Sequence, residues 1–277
     1  EENGFNVVTI GRRNSDDIFW DGSGDRKLNT KLGYKIDKII HCLSVNEVYI
    51  KKDVVTTFDV NVTFTKILCD FAKELKIEEF IYISTFHVYG RESGKFGPQS
   101  ICSPKNDYGL THYLSEEIIR CSLKNTKIKS LILRPTNIYG IPNELQSFNR
   151  WSLVPFDFVR SAIENGSIKL NTPGSQLRNF VHVSNVLENC PTESEFEIRD
   201  IYGTETLSIL EFANLVSLVV SKKFDLKVDI LLAKKPEHTR LKKDFEFTNH
   251  FIKSKKSITL EKFIEVFSKS FIPNDDT

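Results

Sequence analysis

Two apolar segments separated by one amphipathic segment constrain the fold of this chain most strongly. Residues 81–90 (IYISTFHVYG) and 131–140 (LILRPTNIYG) are rich in β-branched and aromatic side chains, as buried strands are. Between them, residues 107–121 carry apolar side chains at helical spacing. A strand, a helix and a second strand in this order predict a βα repeat of a parallel sheet.

Similar patterns on both sides indicate that strands and helices alternate along much of the chain. An apolar run within residues 35–45 ends at Ser44 and predicts another core strand, and residues 56–76 repeat apolar side chains at helical intervals. The other predicted elements are strands at 4–13, 129–134 and 167–170 and helices at 155–164, 206–220 and 258–271. This alternation predicts an α/β fold with a doubly wound, Rossmann-like parallel sheet.

The composition is that of an ordinary globular protein. The 38 Lys and Arg residues against 37 Asp and Glu residues give a net charge of +1, so the totals do not indicate a nucleic-acid or membrane partner. Five cysteines without CxxC spacing favour free thiols in a reducing, cytoplasmic compartment. His41 has no second histidine or carboxylate nearby at metal-site spacing, so we expect a core histidine and no metal.

Four short motifs occur in an order that resembles a known family. They are STFHVYG (84–90), YGLTH (108–112), RPTNIYG (134–140) and RNFVHVSNV (178–186). They resemble the SSxxVYG, YxxxK, RPxNxYG and RDFVHVxDV motifs of the extended short-chain dehydrogenase/reductase family, in its nucleotide-sugar epimerase and reductase branch. One such string is weak evidence, but four in sequence over most of the chain are specific.

The resemblance implies a dinucleotide-binding domain at residues 1–140 and mainly a smaller C-terminal substrate-binding lobe at residues 141–277, with residues 176–190 returning to the first domain. The first strand and its glycine-rich loop have no counterpart in the sequence, which also lacks methionine. That strand is central in a doubly wound sheet, so we expect about 25 further N-terminal residues to carry it. The glycines at 22–24 are expected to form a turn and not this loop.

The resemblance also assigns residues to NAD or NADP binding. Arg12, after Gly11, stands where NAD-specific members place an acidic residue, and a positive charge there suits the 2′-phosphate of NADP. The alternative is that Arg12 and Arg13 are solvated side chains. The further cofactor-binding positions that the resemblance implies are Leu43, Ser44, Asn61, Tyr108, His112 and Pro135.

The resemblance gives catalytic roles to Thr85, Tyr108 and His112. A tyrosinate can take the proton of a sugar hydroxyl if its pKa falls from about 10 toward neutrality. In the family a lysine four residues after the tyrosine lowers that pKa by its charge, whereas His112, with an ordinary pKa of about 6.5, is mostly neutral.

This YxxxH motif leaves two hypotheses. In the first, the protein is a slower or specialised oxidoreductase in which His112 acts in its neutral form or is protonated by a neighbour. In the second, it is a binding module that holds nucleotide or sugar nucleotide without turnover.

The resemblance also implies how a nucleotide-sugar substrate is bound. Members that dehydrate the sugar carry two acidic residues after the catalytic hydroxyl, where this chain has Phe86 and His87, so epimerisation or keto-reduction is favoured over 4,6-dehydration. His87 is interpreted either as a second acid or base at the substrate or as a structural residue. Asn137, Arg178 and Arg240 occupy the positions that grip the substrate diphosphate, and for Arg240 a solvated charge is the alternative.

Family members commonly form homodimers through two long helices. For this chain the helices at 56–76 and 107–121 are the candidates for such an interface. The implied partners are therefore a nucleotide sugar and a second copy of the chain.

Overall fold

The chain folds into two compact units. The structure, a computed structural model, describes residues 6–11, 16–20, 28, 32–45, 47–50, 52–233 and 245–272. The first unit comprises residues 1–91, 100–134 and 190–199, and the second comprises residues 92–99, 135–189 and 200–277. Several residues named above lie outside the described ranges, namely Arg12, Arg13, 22–24 and Arg240.

Strands and helices alternate along the described chain. The strands are Ile10–Gly11 (β1), Ile18–Phe19 (β2), Lys38–His41 (β3), Glu79–Ile83 (β4), Gly94–Phe96 (β5), Lys129–Pro135 (β6), Asn137–Tyr139 (β7), Ser167–Leu170 (β8), Leu177–His182 (β9), Phe196–Ile201 (β10), Glu205–Ser208 (β11), Asp229–Leu232 (β12) and Phe245–Phe247 (β13). The α-helices are Glu47–Ile50 (α1), Val54–Phe58 (α2), Phe64–Leu75 (α3), Asp107–Leu123 (α4), Val154–Asn165 (α5), Val183–Glu188 (α6), Ile209–Phe224 (α7) and Leu260–Ser268 (α8). A π-helical segment spans Asp59–Thr63, and 3-10 turns span Phe86–Tyr89 and Lys269–Phe271.

The first unit is built on a parallel sheet with the strand order β10-β6-β4-β3. Strands β3, β4 and β6 pair in parallel, with Ile40 opposite Ile81 and Ile81 opposite Leu131. Strands β4 and β6 are buried along nearly their whole length, as expected for parallel strands covered by helices on both faces. This arrangement confirms the predicted α/β fold with a parallel sheet.

The helix predicted at 56–76 is present as α2, the π-helical segment and α3 in succession. Asp53 begins it by accepting a hydrogen bond from the amide of Thr56, and Lys76 ends it with a left-handed φ of 55°. The apolar face of α3, which includes Phe64, Leu68 and Phe71, is buried in the core of the first unit. No helix among the residues that the structure describes combines the length and apolar character needed to cross a membrane.

A groove of about 900 Å³ in the first unit is lined by residues of β1, β2, β3 and α3. Its walls include Ile10, Ile40, Leu43 and Phe64, and Ile40 is 51% exposed. In the described sheet β3 is an edge strand that pairs with β4. The expectation that further N-terminal residues carry the first strand of the sheet stays a prediction.

The second unit contains a three-stranded sheet in the order β11-β9-β7. Strand β9 pairs in parallel with β7 and antiparallel with β11, so residues 177–182 do not return to the first unit as the sequence had suggested. Asn179 explains this placement. Its Oδ1 accepts hydrogen bonds from the Thr136 hydroxyl and the Gly203 amide, at 2.8 Å each, which ties β9 to the chain segments on both sides.

A short helix, α6, follows β9. Helix α6 begins at His182, whose ring accepts a hydrogen bond from the amide of Ser184. It ends at Asn189, whose amide group donates to the carbonyls of Asn185 and Ile252 at 2.8 and 2.7 Å. Caps at both ends stabilise a helix that would be marginal alone.

Candidate active site

Two neighbouring hydroxyls at the end of β4 have different partners. Ser84 is buried, and its Oγ donates to Glu116 Oε1 at 2.5 Å. Thr85 Oγ1 accepts from the amide of His87 at 3.2 Å and so begins the 3-10 turn Phe86–Tyr89. This bond does not use the hydroxyl proton of Thr85, which has no acceptor among the residues that the structure describes, so Thr85 is the one of the pair whose hydroxyl can donate to a ligand.

Tyr108 lies in the first turn of α4, which packs directly on that 3-10 turn. The helix begins at Asn106, whose Oδ1 accepts from the amide of Gly109 at 2.8 Å. A Cβ atom at Gly109 would lie 2.6 Å from the carbonyl oxygen of His87, so a side chain at this position would push the helix away. Glycine therefore allows Tyr108 to approach the turn that carries Thr85 and His87.

The Tyr108 ring lies between two histidines. It meets the His87 ring edge-on, with 5.7 Å between centroids, and the His112 ring edge-on at 4.6 Å. His87 is exposed, whereas His112 is 2% exposed. The first unit thus brings together three of the predicted site residues, Tyr108, His87 and His112. The contact between Tyr108 and His112 follows from their spacing of four residues on one helix.

His112 is held from one side and lacks a partner on the other. Its Nδ1 lies 2.7 Å from the hydroxyl of Tyr82, and its Nε2 is buried with no hydrogen-bond partner among the described residues. Burial, together with nearby His41 and His87, lowers the pKa of His112 to about 3. His112 is therefore neutral at pH 7. Its neighbours oppose its protonation, which argues against the hypothesis that a neighbouring group protonates it.

Asn61 joins the loop after β3 to helix α4. It lies in the π-helical segment and is 1% exposed. Its Oδ1 accepts from the amide of Val45 at 2.7 Å, and its Nδ2 donates to Thr111 Oγ1 at 2.9 Å. Leu43 and Ser44, both half-buried, directly precede Val45, so Asn61 fixes their backbone relative to the helix that carries Tyr108. A π-helical turn at such a place is common near functional sites.

The first unit also contains a buried ion pair that was not predicted from the sequence. Arg134 donates to both carboxylate oxygens of Glu116, at 3.0 and 2.6 Å, and to the Tyr89 hydroxyl at 3.0 Å. Together with the Ser84 bond, these contacts join β4, the 3-10 turn, α4 and β6. One signal in the sequence could have predicted it. Glu116 lies four residues after His112 on the buried face of an amphipathic helix, and a buried carboxylate needs a positively charged partner.

The unpaired Nε2 of His112 fits a dinucleotide ligand. A buried polar atom without a hydrogen bond costs free energy, and a ligand that supplies the missing bond recovers it. A ribose hydroxyl can both donate and accept, so it suits either protonation state of Nε2. Asn61 and the loop at 43–45 hold the neighbouring backbone, and Gly11 ends β1 elsewhere in the same unit.

Three of the predicted site residues belong to the second unit. Pro135 is buried at the end of β6, and the Asn137 side chain donates to the carbonyl of Asn179 at 2.9 Å. Arg178 is half-buried, and burial lowers the pKa of its guanidinium group while Glu92 opposes that shift. Its Nη1 donates to the carbonyl of Leu177 at 3.3 Å. A partly desolvated cation of this kind can bind an anion.

Comparison with known proteins gives a family match. Residues 1–190 match the family described as the NAD dependent epimerase/dehydratase family. The dTDP-D-glucose 4,6-dehydratase of Bos taurus is 28% identical over 194 residues, which cover 67% of this chain and 52% of that protein. This chain spans about half the length of the curated relatives it matches.

Solved structures share the fold. MoeE5 in complex with UDP-glucose and NAD superposes with a TM-score of 0.75 and 18% identity, over 97% of this chain and 91% of that one. UDP-glucuronic acid 4-epimerase from Bacillus cereus, in complex with UDP-glucuronic acid and NAD, gives 0.66 and 22%, over 86% and 76%. At these identities the likeness establishes the fold.

Proposed function

Because the chain belongs to the NAD dependent epimerase/dehydratase family, we propose that it is an NAD(P)-dependent nucleotide-sugar epimerase or keto-reductase. A bound nicotinamide would exchange hydride with a carbon of the sugar. The observation that carries the proposal is the position of the Tyr108 ring against His112, at the point where α4 packs on the turn that Thr85 begins.

The chain's own residues then have distinct roles. Tyr108 exchanges the proton of the reacting sugar hydroxyl, and Thr85 donates a hydrogen bond to the same oxygen. His87 is exposed and touches the Tyr108 ring, so it is placed to pass that proton to solvent. His112 orients the ligand through Nε2 and, being neutral, supplies no positive charge to draw the proton from Tyr108.

The absence of that charge has a calculable effect. A unit charge about 4 Å away at an effective dielectric constant of about 20 is worth about 4 kcal/mol, or roughly 3 pKa units. We therefore expect slow turnover at neutral pH and faster turnover as the pH rises. His112→Lys should raise the rate at pH 7 by at least about tenfold, with an upper bound of about a thousandfold.

A second candidate function is a binding protein of the same fold with little or no turnover. The observation that favours it is the same pKa of about 3 for His112, which keeps this side chain uncharged throughout the physiological range. In that case Tyr108 would contact the ligand without exchanging a proton.

The two functions are separated by assaying a panel of nucleotide sugars with NAD and with NADP. Reduced cofactor is followed by absorbance, and epimers are followed by chromatography because epimerisation leaves no net reduced cofactor. Tyr108→Phe should abolish turnover and retain binding, whereas Tyr113→Phe, on the same helix, should change neither. Ligand binding without turnover between pH 6 and 10, in both wild type and His112→Lys, would establish the binding function instead.

The finer features of the proposal rest on the sequence. Phe86 and His87 follow Thr85 in place of two acidic residues, which supports epimerisation or reduction over the dehydration named for the bovine relative. The diphosphate is assigned to Asn137, Arg178 and Arg240, and the NADP preference to Arg12. A homodimer and a cytoplasmic location complete the proposal.

A further inference from the structure

We infer that Tyr82 is a positioning residue for His112: its hydroxyl donates to Nδ1, so that the proton of the neutral imidazole resides on Nε2 and is presented to an acceptor oxygen of the bound dinucleotide. The inference rests on the proposed function, in which His112 contacts that ligand. It adds that a phenol inside the sheet determines which hydrogen bond His112 can make.

Tyr82 is fixed in place by its surroundings. It lies on β4, is 1% exposed, and pairs through its backbone between β3 and β6. Its ring stacks against His112 with 5.8 Å between centroids and an interplanar angle of 28°, and its centroid lies 4.9 Å from that of the His41 ring. The 2.7 Å hydrogen bond to His112 therefore joins two side chains that have little freedom to turn away.

The direction of this hydrogen bond follows from the acidity of the two groups. Burial raises the pKa of Tyr82 well above its ordinary value, so it remains a phenol, and His112 remains a neutral imidazole. A phenol O–H is a stronger acid than a neutral imidazole N–H, and an imidazole nitrogen is a stronger base than a phenol oxygen. The stronger hydrogen bond is the one in which Tyr82 donates, which places the ring proton on Nε2.

This protonation state explains what His112 can offer in place of a charge. The Nε2–H group is a buried donor without a partner among the described residues. A ligand oxygen that accepts from it supplies the hydrogen bond that this buried donor lacks. Tyr82 thus converts a histidine that would otherwise exist in two tautomers into a directed donor.

A second buried histidine in the same sheet supplies a matched control. His41 is 2% exposed, and its Nε2 lies 2.9 Å from Thr65 Oγ1. Thr65 Oγ1 donates its own proton to the carbonyl of Asn61 at 2.6 Å, so it accepts from His41. Thr65→Val removes a buried hydroxyl next to a buried histidine but does not remove either partner of the bond between Tyr82 and His112.

The test reads the tautomer of His112 directly. The full 277-residue chain, labelled with ¹⁵N in its histidines and free of ligand, is examined at pH 7 by two-bond ¹⁵N–¹H correlation, with resonances assigned by His112→Gln and His41→Gln. We expect the proton on Nε2 of His112 in wild type and in Thr65→Val. In Tyr82→Phe the His112 signal should shift to a mixture of tautomers or to the Nδ1–H form.

A second readout is the dissociation constant of NAD and of NADP, measured by calorimetry. Losing one oriented hydrogen bond should weaken binding by about 2- to 12-fold in Tyr82→Phe. A proton on Nδ1 of His112 in wild type, which needs no variant to observe, would overturn the inference, as would an unchanged tautomer in folded Tyr82→Phe. If the tautomers are as expected but no nucleotide sugar is turned over, the enzymatic proposal fails while the role of Tyr82 stands.

Discussion

Replacing Glu116 with alanine tests how the first unit holds its candidate active site together. The side chains of Glu116 and Arg134 are 0% and 2% exposed and share two hydrogen bonds. Burial alone would lower the pKa of Arg134, but the hydrogen bond and charge of Glu116 outweigh that effect and raise it. Without Glu116 the guanidinium group would keep its bond to Tyr89 and otherwise be a buried charge without its counterion.

The expected size of the effect follows from this burial. Removing one partner of a buried ion pair costs about 3–5 kcal/mol. Since 1 kcal/mol shifts the melting temperature of a protein of this size by roughly 2–4 °C, Glu116→Ala should melt about 6–20 °C below wild type. Thermal unfolding followed by circular dichroism gives this difference, and urea denaturation gives the free energy independently.

An exposed ion pair in the same unit provides the control. Asp70 binds Lys66 and Lys73 on the surface of α3, and its side chain is 46% exposed. Asp70→Ala should cost no more than about 1 kcal/mol, because such pairs are solvated and screened. The difference between the two alanine variants therefore reports burial and not the mere loss of an ion pair.

A double variant separates a lost charge balance from lost packing. Glu116→Leu combined with Arg134→Met removes both charges and keeps most of the volume, which is often neutral or stabilising for buried pairs. Ser84 loses its hydrogen-bond acceptor in this variant, at about 1–3 kcal/mol for a buried group that loses its partner, and Tyr89 loses the bond from Arg134, so the recovery should be partial. A double variant less stable than Glu116→Ala, or a Glu116→Ala melting temperature equal to that of Asp70→Ala, would refute the reasoning.

Other parts of the first unit give three more expected outcomes. Asn61→Ala should lower the free energy of unfolding in urea by about 1–3 kcal/mol, because the amide and hydroxyl that Asn61 binds lose a buried partner. The pKa values of His41 and His112 are lowered to about 4 and about 3 in the folded protein. As the pH falls below about 6.5, these histidines therefore bind protons in the unfolded chain before they do so in the folded protein. The free energy of unfolding should fall by up to about 2 kcal/mol per histidine between pH 6.5 and pH 5. His41→Gln should remove the part of this pH dependence that His41 contributes. Mass spectrometry of nucleotide sugars incubated with the protein should show no 4,6-dehydrated product, since Phe86 and His87 replace the acidic pair.

Local patterns in the sequence predicted most of the helices and strands. The strand at 167–170 was predicted with the bounds that β8 has, and the helix at 107–121 lies within α4, which ends at residue 123. Such elements depend on side-chain periodicity and caps, which are local. Strand β9 was assigned to the wrong unit because its location is decided by Thr136 and Gly203, which lie 43 and 24 residues away from Asn179.

The same distinction applies to the candidate site. Tyr108 and His112 are four residues apart on one helix, so their contact could be predicted from spacing. The partners that decide their chemistry come from other elements. Tyr82 is 30 residues from His112, and Arg134 is 18 residues from Glu116, and no local pattern pairs them.

Position 112 is best understood as part of a neutral cluster. His112 packs against Tyr82, a buried phenol that also contacts His41, so a charge introduced at this position would be desolvated. The turnover rate of His112→Lys should therefore rise by less than the thousandfold bound set by the charge alone. The cost of burying the ammonium group cancels part of the electrostatic effect of its charge on Tyr108. A gain that reaches the bound would mean that the cluster does not resist charge, and the low pKa of His112 would then need another cause.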